Sequence, residues 1–208
     1  AEKTKRILQY CFDFMALVSF PVVIGGFVLA TPLIAGISSS EFVSTATKPG
    51  SDTALSILLL GMTVVFFHQI FNYTLVSMGM QKKVLLINLC AAIFNVGLNL
   101  FLIPRFGFVG TAVIAATTEL LVLSFNSTLV YRALRFAPRF GLLLKALVSA
   151  LAMGTAVFFL DKELLGLGLV RLLILIPIGG VVYVGLLFAF KTFTPEMLSF
   201  VKRGSENV

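Results

Sequence analysis

Charge is scarce in this sequence. Only 12% of its 208 residues are charged, 59% are hydrophobic, and the mean hydropathy is +1.05. A water-soluble domain is about 25% charged and about 45–50% apolar, so this chain has too few charges to coat a water-facing surface. The same apolar excess excludes disorder. Cysteine occurs only at Cys11 and Cys90, both inside apolar runs. That excludes a disulfide framework and reads as two small, inert packing residues. Histidine occurs once, at His68. There is no Walker loop, dinucleotide fingerprint, metal-ligand cluster or nucleophile–base constellation, so no cofactor, no metal, no catalytic residue and no ATP-driven cycle is expected. The net charge of +7 sits in short connectors between apolar runs. It therefore reads as a topology signal, with no nucleic-acid partner. The chain opens on a basic stretch with no signal peptide and reads as a fragment of a longer protein.

What is abundant is the long apolar run. A hydrocarbon layer about 30 Å thick needs roughly 20 apolar residues per helix, and a span in lipid must satisfy its backbone internally. Barrel strands would alternate with period two over about 10 residues, whereas the runs here are unbroken. The expected fold is all-α, a polytopic transmembrane bundle of about six helices over 10–37, 54–79, 84–103, 109–131, 142–160 and 170–190. The first contains Pro21 and Pro32, and a kink is expected near Pro21. The connection 104–108 is so short that the third and fourth spans must form an antiparallel hairpin, tightened by Gly107 and Gly110.

The connectors set the orientation. Lys3, Lys5, Arg6, Lys82, Lys83, Arg132, Arg135, Arg139, Lys145, Lys191, Lys202 and Arg203 fall on one side; Lys48, Arg105, Lys162 and Arg171 fall on the other. The positive-inside rule makes the richer side cytoplasmic, with both termini there, in the cell inner (plasma) membrane.

Polar groups within spans are costly in lipid and should face protein or water. Asn88, Asn95 and Asn99 share one face of the third helix, and His68 and Asn72 share a face of the second. Glu119 lies near mid-span in the fourth, beside Thr117 and Thr118, with Asn126 seven residues on along the same face. Asp13 lies near the cytoplasmic end of the first, where it reads most simply as an interfacial charge. The plain reading of the asparagines is helix-to-helix hydrogen bonding. The fifth and sixth helices have almost nothing polar inside. The first four are therefore expected to surround a wet cavity, with the last two outside against lipid or a partner helix. Ala146, Ala150 and Gly154 repeat every four residues, a spacing that lets helices approach closely. Two glycosylation sequons, at Asn72 and Asn126, lie inside predicted helices and are discounted as chance matches.

The stretch Gly79-Met80-Gln81-Lys82, then Asn88, Asn95-Val96-Gly97-Leu98-Asn99, Ile103-Pro104-Arg105-Phe106-Gly107-Phe108-Val109-Gly110 and Thr117-Thr118-Glu119 resembles the C-terminal half of polysaccharide flippases. These are the O-antigen and lipid-linked oligosaccharide exporters of the multidrug/oligosaccharidyl-lipid/polysaccharide (MOP) superfamily. Phe20-Pro21 and Thr31-Pro32-Leu33-Ile34 add to the likeness, which covers roughly residues 10–135. The resemblance implies a MATE-like fold of two six-helix lobes. Residues 1–135 would then be the last four helices of the second lobe, 136–194 two additional peripheral helices, and 195–208 a cytoplasmic tail. The missing N-terminal lobe of the same protein would complete the cavity.

The implied function is flipping of a polyprenyl-pyrophosphate-linked oligosaccharide for polysaccharide or O-antigen export, with membrane lipid and polysaccharide-assembly enzymes as further partners. His68, Asn72, Asn95 and Asn99 are expected to line the cavity. Glu119 and Asp13, with His68, are expected to couple transport to an ion or proton. The alternatives are a multidrug or small-molecule cation antiporter of the same superfamily, a polyprenyl-lipid enzyme, and a non-transporting scaffold. The enzyme ranks low because His68 stands alone and Glu119 lies deep.

Overall fold

The computed structural model describes residues 2–38, 40–45, 48–164, 170–190 and 192. The expected tail 195–208, with Lys202 and Arg203, lies outside them, as does Lys191. Among the described residues six α-helices follow one another: α1 (Glu2–Val28), α2 (Ala30–Ile37), α3 (Ser51–Ser77), α4 (Gln81–Leu134), α5 (Gly141–Glu163) and α6 (Val170–Ala189). Five of them are long and apolar enough to cross a membrane. The 54-residue α4 would extend about 80 Å if straight, far beyond a bilayer. It is instead interrupted at Gly107, with φ 56° and ψ −144°, a region open to glycine and closed to other residues. There the chain reverses. Asn95 Nδ2 donates to Thr118 Oγ1 at 3.0 Å, although 23 residues along one helix would separate them by about 35 Å. The two arms, 81–106 and 108–134, are the expected hairpin.

α1 runs through Pro21 without a break, contrary to the expected kink. The break comes at Leu29, between α1 and α2. Pro32 explains it: it has no N–H for the Val28 carbonyl, and its ring crowds that turn. Pro21 likewise frees the Leu17 carbonyl, but the buried Tyr183 hydroxyl of α6 donates to it at 2.9 Å. α3 ends in a Schellman motif. Met80 N–H bonds Leu75 O at 2.9 Å, and Gly79, at φ 75°, bonds Val76 O at 3.0 Å. That turn sends α4 back alongside α3.

Packing runs in the order α4, α3, α1, α5, α6. Between α1 and α3, Phe12 meets Phe67 with ring centroids 4.6 Å apart, and Phe20 meets Phe67 at 6.2 Å. Between α1 and α5, the Ala146, Ala150 and Gly154 stripe is buried. A Cβ built on Gly154 would stand 2.6 Å from Ile24 Cγ2, so only glycine permits that approach. Gly61 of α3 sits similarly against Ala116 of α4. Cys11 and Cys90, expected as packing residues, are both exposed. Their helices turn other faces inward, and a thiol is apolar enough to sit against lipid.

Candidate functional site: a polar seam between α3 and the α4 hairpin

The second arm of α4 packs beside α3 and the first arm folds back upon it, so three helices bring their polar faces together. His68 Nδ1 lies 2.8 Å from Glu119 Oε2. This is an ion-pair separation, and neither atom has a hydrogen-bond partner among the described residues. The pair is charged only when His68 is protonated. His68 is the more shielded of the two, with 13% of its side chain exposed against 33% for Glu119.

The asparagines are tied to the same place through Thr118, the neighbour of Glu119. Asn95 donates to Thr118 Oγ1, and Asn99 Nδ2 donates back to the Asn95 side-chain oxygen at 3.0 Å and its carbonyl at 2.9 Å. Thr118 in turn donates to Ile114 O at 2.8 Å. Asn72 donates to Gln69 at 3.2 Å on its own helix, and its side-chain oxygen is buried without a partner among the described residues, as is that of Asn99. Asn126 is fully buried, and neither of its side-chain polar atoms has a partner among the described residues. Asn88 is exposed and outside the seam. His68 thus meets Glu119, and Asn95 and Asn99 join each other and Thr118, the residue before Glu119 along the chain, with Asn72 one turn beyond His68.

Asp13 belongs elsewhere. It is buried and accepts a 2.8 Å hydrogen bond from Gln9, so it does not reach out as an interfacial charge. Gln9 also clasps the chain before α5, donating to Arg139 O at 3.2 Å and accepting from Arg139 N at 2.9 Å. Together these line a cavity of about 970 Å³ at the start of α1. A second, apolar groove of about 640 Å³ runs between α1 and α3 past Cys11, Met15, Phe66 and Tyr73. Neither cavity is lined by His68, Asn72, Asn95, Asn99 or Glu119.

Two residues outside the sequence-based candidates organise these clusters. Thr118 joins the hairpin arms, and its signal was adjacency to Glu119 opposite Asn95 once the hairpin is folded about Gly107. Asp52, at the start of α3, accepts from Thr31 at 3.0 Å and from Ser44 N at 2.9 Å. It fastens the α2–α3 connection, and its signal was an acid just after the Pro49-Gly50 turn.

Helices of this length, a hairpin reversal within one of them and an acid paired to a histidine define a polytopic membrane protein with an ionisable pair between its helices. The MatE family model matches residues 1–101, just under half of the chain. To that extent the chain is similar to the MatE family. The match takes in Asp13, His68, Asn72, Asn95 and Asn99; Glu119 lies beyond it. No curated protein matches the chain.

Proposed function

We propose that this chain is the C-terminal portion of a flippase that moves a polyprenyl-pyrophosphate-linked oligosaccharide across the membrane. In this reading, protonation of the His68–Glu119 pair is coupled to movement of the α4 hairpin. The observation that carries the coupling is the 2.8 Å approach of His68 to Glu119 between α3 and the second hairpin arm, to which Asn95 of the first arm is tied through Thr118. A sugar–pyrophosphate head group cannot shed its water in hydrocarbon, so it needs a polar path between lobes that open alternately. The glycolipid substrate follows from the flippase-like motif around Pro104 and Gly107; the MatE likeness supports transport in general. A second lobe of the same protein would supply the facing wall. Residues 136–194 would be the two peripheral helices appended to the lobe.

A cation antiporter is the second reading, favoured by the paired carboxylate of Glu119, which suits a cation or proton as well as a glycolipid cycle. The two separate in proteoliposomes containing the full-length protein. Translocation of radiolabelled polyprenyl-pyrophosphate oligosaccharide without cationic-dye export supports the flippase. Dye export without glycolipid movement overturns it.

A further inference from the structure

A cluster of cations at the start of α1 has no part in the α3–α4 seam. Lys3, Lys5 and Arg6 face Arg135 and Arg139, from the connection after α4, across the 970 Å³ cavity. Two acids share it, and both are engaged: Glu2 with Lys5 at 3.4 Å, and Asp13 with Gln9. Lys3, Arg6, Arg135 and Arg139 make no ion pair among the described residues. The cavity is built on fixed backbone. Gln9 holds Arg139 through both its N–H and its carbonyl. Arg135 ends α4 in the left-handed region at φ 50°, the one described residue other than glycine with positive φ, and its N–H bonds Tyr131 O at 2.8 Å.

Depth gives the second argument. α1 and α2 together cover 2–37, about 54 Å of helix against a hydrocarbon layer of about 30 Å. The charged first turns of α1, with Glu2, Lys3, Lys5 and Arg6, are the part suited to stand at head-group level. Phe140 and Leu144, on either side of the lining residues Gly141 and Leu142, are exposed and offer apolar surface where an acyl chain would begin. Arginine forks match phosphate oxygens two at a time.

We infer that this cavity is a binding site for the phosphate head group of an anionic membrane phospholipid, held chiefly by Arg135, Arg139, Lys3 and Arg6. The inference stands apart from the flippase reading, since none of the lining residues belongs to the seam and it needs no transported substrate.

The test is lipid titration of the full chain in detergent, read by native mass spectrometry, with phosphatidylglycerol, phosphatidylcholine and free inorganic pyrophosphate as probes. Phosphatidylglycerol should be retained in preference to phosphatidylcholine. Each cavity cation removed should weaken it roughly fivefold, in Arg135→Gln/Arg139→Gln and independently in Lys3→Gln/Arg6→Gln, which alters only exposed positions at the helix start. Lys82→Gln/Lys83→Gln removes the same charge away from the cavity and should leave retention unchanged. An equal loss in that control, or no preference in the unaltered protein, overturns the site. Displacement of the lipid by millimolar pyrophosphate would show a soluble anion to be the ligand and overturn the lipid assignment.

Discussion

The Tyr183 hydroxyl of α6 donates a 2.9 Å hydrogen bond to the Leu17 carbonyl of α1, the acceptor that Pro21 leaves free. One proline thus creates a polar defect in mid-helix, and one tyrosine two helices later in the packing order fills it. This keeps α1 unbroken and fixes how α6 lies across it.

Tyr183→Phe should lower stability by about 0.6–1.5 kcal/mol, the range for hydrogen bonds between membrane helices. In a Pro21→Ala background the backbone bond to Leu17 is restored, and the same substitution should cost less. A double-mutant cycle read by thermal unfolding in detergent checks this. Equal costs in both backgrounds would separate Tyr183 from the proline defect.

Gly107→Ala should destabilise the hairpin by about 1–3 kcal/mol. A Cβ there meets nothing within 4 Å, so the cost is backbone strain alone. Gly97→Ala, in regular helix with the same open surroundings, should be neutral or mildly stabilising. Comparing the two unfolding midpoints isolates the turn; matched behaviour would mean that the reversal does not depend on glycine.

Gly154→Ala should separate α5 from α1, because its methyl would fall 2.6 Å from Ile24 Cγ2. The expected cost is about 1–3 kcal/mol. Pairing it with Ile24→Ala should recover most of the loss, and an absence of coupling between the two would argue against this contact.

These cases mark what the sequence discloses and what it conceals. Span lengths, the Gly107 reversal and the small-residue face of α5 follow from local rules: apolar run length, backbone permissiveness and four-residue periodicity. The position of the break in α1 did not follow. Two prolines offer equal local reasons to kink, and a tertiary partner, Tyr183, decides between them. The union of Asn95, Asn99 and Glu119 was foreshadowed by shared helical faces, but its link through Thr118 depends on hairpin register. Asp13 was misplaced because its partner, Gln9, is one turn away on its own helix and takes part in a long-range clasp with Arg139. The exposed cysteines show that apolarity marks a span without saying which face turns to lipid.

The central claim is that the His68–Glu119 pair drives transport, and Glu119→Gln tests it most directly. The variant keeps the shape of the side chain and removes its charge. Glycolipid flipping by the intact protein in proteoliposomes should fall at least about tenfold, in line with loss of a proton-transfer group, while membrane insertion and thermal stability remain near those of the parent. Transport at the parental rate by a normally inserted Glu119→Gln protein would contradict the account.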